Sequence, residues 1–571
     1  MADSRRSHAA INSLRQRLYT SQVKTESGEH FIPDGVLEEI MDDESVYSAL
    51  IALGWSGLID APTAYEQVRH SSLKIFAILV LTRSPDVIFQ FIDIGINDSD
   101  LPYLPDTEDS RAEQGKWSRL KDLWSEPDLD LLFFKNQWSV LAPRFVRGVD
   151  ASYNFTHHHI LPFLPMNEEG SSSAVDERVK AGAFSEVRKV KIHPSHHDFG
   201  HIITGDSTDI FALKRLYTHE QQSFESELSA LRHLQKFQHP HLIQLLTSFR
   251  VQGYNGDSSR AESCLIFPWA TGNLRDFWIA NEKYVGDKQT IPWISKQCYG
   301  LAAALELVHD GRHPTTTSEE PGMFRIHGDI KPSNILWYTS PDDREEAGPG
   351  SLVLADFGLS VPVRRMSWSN VSASGLMVSP TYRAPEVDVS KTVSRKMDIW
   401  MLGCTYLELL TWFLRGSEAA AVDFPNFRSE HDGYGIHSDT FFRVSVKGSV
   451  SSAQTKPQIA DWIRQLSSTP HCSRYLQEFL VLIETRMLTV NPQDRITASE
   501  LKLTLKEMDR RFMKSDEKSR SEIRPGVGSK IKAFWAFPLR RKITSKPRDS
   551  RNAPEPAQPA TITIPPNRQQ P

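Results

Sequence analysis

Cysteine is scarce in this chain of 571 residues, which contains only four, at Cys264, Cys298, Cys404 and Cys472. They lie far apart and no two have the C-x-x-C spacing, which argues against a thiolate zinc site and against a small disulfide-stapled domain. We expect buried, unpaired thiols, as is usual for proteins of a reducing compartment.

Long apolar runs and an excess of charge are also missing. The most apolar stretch, Leu73–Leu81 (LKIFAILVL), has about half of the roughly 20 residues that a membrane-spanning helix needs, and residues 1–19 lack the apolar segment of a secretory signal. Lys and Arg number 66 against 71 Asp and Glu, a net charge of −5. No overall field would therefore hold the chain on nucleic acid or an anionic membrane. The expectation is a soluble, cytoplasmic protein with no specific nucleic-acid partner and no transmembrane segment.

Composition and periodicity divide the chain into five segments. Apolar residues at three- and four-residue spacing predict helices before the polar stretch NEEGSSSAVD. Strand-like alternation followed by helical periodicity after that stretch predicts a two-lobed α+β domain. The predicted segments are a flexible N-terminus (1–29), a mainly helical accessory domain (30–166), a linker (167–176), the two-lobed domain (177–512) and a disordered basic tail (513–571).

The tail is the one strongly charged part of the sequence, since residues 514–571 hold 13 Lys and Arg against 5 Asp and Glu. Within it, residues 530–542 (KIKAFWAFPLRRK) interleave aromatic and basic side chains. This pattern is typical of membrane-surface contact, nuclear import or partner docking, and equally of a flexible solvated tail. A nuclear location therefore stays open beside the cytoplasmic one.

Three short strings carry the functional signal: HGDIKPSN at 327–334, ADFG at 355–358 and APE at 384–386. In this order and spacing they resemble the eukaryotic-type serine/threonine protein kinase family. Each string alone is common, whereas the ordered set is specific. The resemblance covers residues from about 175 to 510. With the helical module before it, the chain is similar to a fungal kinase-domain family, which implies a bilobal protein kinase fold preceded by a mainly α-helical domain.

The resemblance implies ATP-dependent transfer of the γ-phosphate to protein hydroxyl groups, and a role for each matched residue. Asp329 would orient the substrate hydroxyl and accept its proton. Lys331, two residues further on, matches serine/threonine kinases, in which this Lys contacts the transferring phosphate. Asn334 and Asp356 would bind Mg²⁺, a hard cation that prefers oxygen ligands.

The string FALK ends at Lys214, which matches the lysine that pairs the α- and β-phosphates in this family. The following helix would supply the carboxylate that holds this lysine. Glu225 and Glu227 both lie there, and Glu227 is favoured because Leu231 follows it on the same helical face. Glu225 remains the alternative.

The glycine-rich loop is the weakest match, because Lys180 and Ser185 replace two of its three glycines. Glycines let backbone N–H groups approach phosphates without a Cβ clash, so nucleotide affinity or loop mobility is expected to differ. The string CLIFPWA matches the strand that leads to the interlobe hinge. The matched nucleotide-binding positions are Val179, Gly182, Phe184, Val187, Ala212, Lys214, Phe267, Pro268 and Ala270. Phe267 would limit the pocket, and the Pro268 carbonyl and Ala270 N–H would bind adenine.

Gly328 is a second departure, since many kinases have Arg before the catalytic Asp. That Arg pairs with a phosphate on the activation segment, so a switch of this kind is not expected here. Three further matches imply scaffold contacts: Ser379 bridging Asp329 and Lys331, an ion pair between Glu386 and Arg495, and Asp398 capping the catalytic loop.

Two functions fit these matches. The first is an active kinase with protein substrates and an unidentified partner for the helical domain. The second is a pseudokinase or scaffold that binds nucleotide and partners without significant phosphotransfer, which the altered glycine loop favours. Intact matches favour the enzyme at five positions: Lys214, Glu227, Asp329, Asn334 and Asp356.

Overall fold

Helices dominate the first part of the chain. The computed structural model describes residues 2–53, 61–104, 114–121, 128–148, 152–166, 179–181, 185–200, 209–216, 221–253, 261–310, 324–339, 349–363, 371–372, 379–431, 437–447 and 450–523. Met1–Met513 forms one unit and Lys514–Pro571 a second, of which the structure describes only residues 514–523.

The N-terminal region packs its helices around α5, a helix that is apolar on nearly every side. Residues 75–80 of α5 are all buried, which a helix of this composition requires. The described helices are α1 (Ala2–Thr20), α2 (Val36–Ile40), α3 (Asp43–Leu53), α4 (Ala61–Ser71), α5 (Leu73–Leu81), α6 (Ile88–Ile94), α7 (Gln114–Lys121) and α8 (Leu129–Gln137). A two-stranded hairpin, β1 (Val23–Lys24) with β2 (His30–Phe31), lies between α1 and α2.

Helix α1 corrects the expectation of a flexible N-terminus at 1–29. Leu14 and Leu18 are buried in the core of the helical region, and Ile11 packs against it. These residues recur at three- and four-residue spacing and so form one apolar stripe. The stripe gives α1 a face to bury, and the segment is therefore ordered by packing.

A seven-stranded sheet forms the small lobe. Its strands are β3 (Ser152–Phe155), β4 (Phe163–Leu164), β5 (Val179–Ala181), β6 (Ser185–Ile192), β7 (Ile210–Leu216), β8 (Thr247–Val251) and β9 (Glu262–Pro268). The order is β3-β8-β9-β7-β6-β4, and β5 pairs with β6. Among the described strands of this sheet, β3 and β8 pair in parallel and the other pairs are antiparallel. Helix α9 (Gln221–Gln235) connects β7 to β8 along the chain.

The sheet also corrects the boundary expected at 166. Both β3 and β4 come from the segment assigned to the helical domain, and so does Phe145. Phe145 is fully buried on one face of the sheet, with its ring centroid 5.6 Å from that of Phe249 and 6.2 Å from that of Phe163. Residues 145–148 and 152–164 therefore belong to the small lobe. The expected linker at 167–176 lies outside the described residues.

The large lobe is built around α13, in which every residue from Met397 to Leu414 is buried. Its other elements are β10 (Gly272–Asn273), α10 (Leu274–Ala280), α11 (Ile291–Asp310), β11 (Phe324–Ile326), β12 (Ile335–Tyr338), β13 (Ser351–Leu354), β14 (Val361–Val363), β15 (Val371–Ser372), α12 (Pro385–Val389), β16 (Thr392–Val393), α13 (Arg395–Arg415), α14 (Phe424–Arg428), β17 (Glu430–His431), β18 (His437–Ser438), β19 (Phe442–Lys447), β20 (Val450–Thr455), α15 (Pro457–Ser467), α16 (Arg474–Leu482) and α17 (Ala498–Ile523).

The α+β class with a mainly helical region before it is confirmed. Helix α17 runs past the boundary expected at 513, and the rest of the tail, including residues 530–542, lies outside the described residues. All four cysteines are unpaired, and Cys264, Cys298 and Cys404 are buried. Among the described residues, no helix combines the length and the apolar character needed to cross a bilayer.

The place of Phe145 in the small lobe is testable by truncating its side chain. We expect Phe145→Ala to lower the free energy of unfolding by about 3–5 kcal/mol, because it leaves a cavity among packed aromatic rings. Denaturant unfolding followed by tryptophan fluorescence measures this. Leu131→Ala, whose side chain is 45% exposed, is the control and should stay within about 0.5 kcal/mol. Equal effects of the two substitutions would contradict the assignment.

Candidate active site

The side chain of Lys214 joins the two lobes. From β7 in the small lobe, its Nζ lies 2.7 Å from Glu227 Oε1 on α9 and 2.9 Å from Asp356 Oδ1, just after β13 of the large lobe. Glu227, and not Glu225, therefore contacts the lysine. Glu225 is exposed and pairs with Arg250.

Burial and charge act against each other in this triad. Burial disfavours the charge of Lys214, but Asp356 and Glu227 outweigh it and raise the pKa of the lysine above its usual value. Lys214 lowers the pKa of Asp356 to about 2, although burial opposes this. Burial raises the pKa of Glu227, and Lys214 offsets only part of that effect. The lysine and Asp356 are therefore charged at neutral pH.

A second network surrounds Asp329 in the loop between β11 and β12. The Ser379 hydroxyl donates to Asp329 Oδ1 at 2.8 Å, and Lys331 Nζ lies 2.7 Å from Asp329 Oδ2. Lys331 also donates to Ser379 Oγ at 2.7 Å. Ser379 thus bridges the carboxylate and the lysine, and holds the catalytic loop to the segment that precedes α12.

Asn334 orients its amide through the same carboxylate. Its Nδ2 donates to Asp329 Oδ2 at 2.8 Å and to the Asp329 carbonyl at 2.9 Å. With the nitrogen engaged there, the amide oxygen is the atom that Asn334 offers to a cation. The backbone N–H of Ala355, next to Asp356, donates to the Asn334 carbonyl at 3.0 Å. This bond joins the backbone at Asn334 to the residue that precedes Asp356, and an amide oxygen and a carboxylate are donors of the kind that Mg²⁺ prefers.

The buried carboxylate of Asp398, on α13, shapes the backbone before Asp329. It accepts from the N–H groups of His327 and Gly328, each at 2.9 Å, and lies 2.7 Å from His309 Nε2. Gly328 has φ +85°, and an added Cβ would lie 3.0 Å from the Leu359 carbonyl oxygen. Glycine adopts this conformation without strain, which gives the departure at this position a local physical reason.

His327 packs on the ring of Phe357 with 4.6 Å between centroids. Its Nε2 lies 3.1 Å from the Ala355 carbonyl, which only accepts, while Nδ1 accepts from the Asp329 N–H at 3.3 Å. This pattern requires the neutral ring with its proton on Nε2, and burial correspondingly lowers the pKa of His327. The histidine connects the loops that carry Asp329 and Asp356.

The predicted nucleotide-binding positions lie on adjacent strands where the structure describes them. Ala212 on β7 pairs with Phe267 on β9, and Val187 on β6 pairs with Lys214. Val179 begins β5, while Gly182 and Phe184 lie outside the described residues. Ala270 lies two residues after the end of β9. The Pro268 carbonyl accepts from the Tyr338 hydroxyl at 3.2 Å, which leaves it one further lone pair.

The scaffold contact expected behind the substrate-binding segment is present. Arg495 Nη1 and Nη2 donate to the two carboxylate oxygens of Glu386 at 2.7 and 2.6 Å. The pair is buried and bidentate, so it fixes α12 relative to the C-terminal helices.

Sequence reasoning missed His309, the packing role of His327 and the bond from Tyr338. The HGD string contains His327, but nothing in the spacing indicated its aromatic partner. His309 and Tyr338 carry no motif signal, since each acts through one contact with a residue distant in sequence.

The two lobes, with a lysine of the sheet paired to a carboxylate at the edge of the helical lobe, have the arrangement of the protein kinase fold. Comparison with known proteins agrees. The sequence model of the protein kinase domain matches residues 198–504, more than half of the chain, and the chain belongs to this family.

Three relatives illustrate the likeness. The chain is 32% identical over 263 residues to a probable LRR receptor-like serine/threonine-protein kinase of Arabidopsis thaliana. The aligned segment covers 45% of this chain and 38% of that protein. It is 31% identical over 206 residues to the salt tolerance receptor-like cytoplasmic kinase 1 of Oryza sativa subsp. japonica, over 35% of this chain and 48% of the relative. Calcium/calmodulin-dependent protein kinase type 1 of Macrobrachium nipponense is 28% identical over 322 residues, 54% of this chain and 74% of its own length. The chain thus spans less than half of the two plant proteins.

Removing the lysine tests the electrostatics of the triad. Without Lys214, the pKa of Glu227 rises further, so folding binds a proton at this site. A carboxyl group whose pKa is higher in the folded than in the unfolded protein favours folding at low pH, and this contribution is lost as the pH rises through the pKa of the folded state. We therefore expect Lys214→Met to lower the free energy of unfolding more at pH 8 than at pH 5. Breaking a fully buried ion pair costs about 3–5 kcal/mol. Because the Asp356 side chain is 43% exposed, we expect a smaller loss in the free energy of unfolding, on the order of 1–3 kcal/mol.

Denaturant unfolding at the two pH values measures the difference. The double variant Lys214→Met, Glu227→Leu is the control, because it has no glutamate left to titrate. An equal loss at both pH values in the single variant would show that the glutamate does not depend on the lysine.

Proposed function

We propose that the chain is a serine/threonine protein kinase that transfers the γ-phosphate of ATP to hydroxyl groups of proteins. The observation that carries this proposal is the convergence of Lys214, Glu227 and Asp356, from three elements of two lobes, within hydrogen-bond distance. A lysine held in this way has a fixed charge and position for binding phosphate oxygens.

The acceptor side of the proposed reaction is the network around Asp329. Its carboxylate would hold the substrate hydroxyl and take its proton as the bond to phosphorus forms. Lys331, 25% exposed and bonded to Ser379, would contact the transferring phosphate. The lysine two residues after Asp329 and its serine partner support Ser and Thr, rather than Tyr, as acceptors.

The donor side would hold the nucleotide between the sheet and the hinge. Val179, Val187, Ala212 and Phe267 would contact adenine, and the Pro268 carbonyl and Ala270 N–H would bind its edge. Gly182 and Phe184 would cover the phosphates. Asn334 and Asp356 would hold Mg²⁺, which supplies positive charge to the triphosphate. The role of this chain is therefore to align donor and acceptor oxygens and to balance charge.

A scaffold that binds nucleotide without significant turnover is the second candidate. It is favoured by Lys180 and Ser185 in the loop that covers the phosphates, where backbone N–H groups approach the ligand most closely. In either case we propose a cytoplasmic location, with nuclear import through the basic tail as the alternative, and a protein partner for the helical region.

Replacing the proposed base separates the two candidates. With ATP, Mg²⁺ and a generic basic protein, we expect wild type to incorporate phosphate on Ser or Thr. Asp329→Asn should retain nucleotide binding but lose about 10²–10⁴-fold in turnover, because the amide cannot accept the proton. Asp423→Asn, an exposed site in the large lobe, is the matched control. Full turnover by Asp329→Asn would disprove the assigned role, and nucleotide binding without incorporation by wild type would favour the scaffold.

The activity should also be independent of a phosphate on the activation segment. Gly328 provides no guanidinium for such a phosphate, so a charge-assisted clamp cannot form at this position. We expect phosphatase treatment to change the rate by less than about tenfold, roughly 1.4 kcal/mol of barrier. Rates before and after treatment, with phosphate loss verified by mass spectrometry, measure this. A larger decrease would reveal a phosphate switch that involves other residues.

A further inference from the structure

We propose that the helical N-terminal region positions the hairpin of β5 and β6, which would cover the nucleotide, through one ion pair between Glu26 and Arg188. Both would be positioning residues that act on ATP through β5 and β6 without contacting it. This inference rests on the proposed function, since it assumes that ATP binds between the hairpin and the hinge.

Arg188 lies in the middle of β6, at the open end of the hairpin that β5 and β6 form. It is the register partner of Val179 on β5 and of Leu213 on β7. Its neighbour Val187 packs on the cleft side of the sheet, opposite Lys214. Because side chains alternate along a strand, Arg188 points to the opposite face. A contact made by Arg188 can therefore fix the position of β6, and with it the position of Val187, although Arg188 itself lies outside the proposed ATP site.

The partner of Arg188 comes from the N-terminal region. Arg188 Nη1 donates to Glu26 Oε1 at 2.6 Å, and its guanidinium carbon lies 5.7 Å from the ring centre of Phe163. The Glu26 N–H donates to the Phe163 carbonyl at 2.8 Å. Glu26 is thus fixed through its backbone to β4, the strand beside β6, and through its side chain to β6 itself.

The segment that carries Glu26 is rigidly attached to the rest of the protein. Glu26 lies in the turn between β1 and β2, and Phe31 of β2 is fully buried. Phe31 clusters with Trp138, which directly follows α8 of the helical region. The Ile32 N–H donates to the Ser139 carbonyl at 2.7 Å. A displacement of the helical region would therefore move Glu26 with it.

The hairpin needs such a contact because β5 has few others. Among the described strands it pairs only with β6, over the three residues Val179–Ala181. Lys180 and Ser185 replace glycines that would let the backbone close on phosphate. Because the backbone at these two positions is less adaptable than glycine would make it, we expect the nucleotide affinity to depend more strongly on the position of β6. The ion pair on Arg188 fixes the strand residue directly opposite Val179.

The test measures ATP binding by the full chain. An exposed ion pair changes an equilibrium by up to about fivefold, and both side chains here are 29% exposed. We expect Glu26→Gln to raise the dissociation constant and the KM for ATP by roughly two- to fivefold. The KM for protein substrate and the melting temperature should stay unchanged. If the ion pair had a purely structural role, Glu26→Gln would instead lower the melting temperature, and the KM for ATP would not rise relative to the KM for protein substrate.

Two further variants complete the design. Glu29→Gln removes the same charge from the same turn, where the Glu29 carboxylate accepts from the Ser27 hydroxyl and pairs with no arginine that the structure describes. It should leave ATP affinity unchanged. The exchange of charges, Glu26→Arg with Arg188→Glu, should restore the affinity lost in Glu26→Gln. An unchanged ATP dissociation constant in Glu26→Gln, or equal effects of Glu26→Gln and Glu29→Gln, would overturn the inference. The proposed function fails by a different result, namely wild-type protein that binds no ATP or binds it without phosphotransfer.

Discussion

The charge of Lys214 is the constraint on which the arrangement of the cleft depends. Glu227 is buried on a helix of the small lobe, and Asp356 has a left-handed backbone with φ +66°. Neither is favourable alone, since burial disfavours the first carboxylate and a non-glycine residue at positive φ costs about 1–3 kcal/mol. One cation between them offsets both costs, and it does so only when α9 and the loop after β13 approach β7 together.

Asp398 plays the corresponding part within the large lobe. A buried carboxylate in the first turn of α13 is tolerated because two backbone N–H groups and His309 satisfy it. Those same bonds hold the turn at His327 and Gly328, from which Asp329 projects. The chemistry proposed for Asp329 thus depends on a helix buried in the large lobe, and the positive φ of Gly328 is part of that geometry.

The sequence was most informative where function restricts local spacing. The strings around Asp329, Asp356 and Glu386 have fixed lengths between residues that must meet, so the convergence in the cleft could be predicted. The strands β3 and β4 could not, because segments of four and two residues show no period, and their pairing depends on partners far along the chain. The contact of Glu26 with Arg188 is non-local for the same reason. Helix α1 is a different case, since the apolar stripe of Ile11, Leu14 and Leu18 that orders it is visible in the sequence.

The parallel pairing of β3 with β8 has a consequence for the order of folding during synthesis. Chains are made from the N-terminus, and the core of the helical region, whose last buried residue is Val140, is complete early in synthesis. Strand β3 leaves the ribosome soon afterwards, but Ser152 must wait for Ser248 before its backbone is paired. Until then Phe145 and Phe155 have no Phe249 to pack against. The nascent chain therefore exposes an aromatic, unpaired strand while the intervening polypeptide is made, and this is the stage at which the protein is most exposed to aggregation and to capture by chaperones.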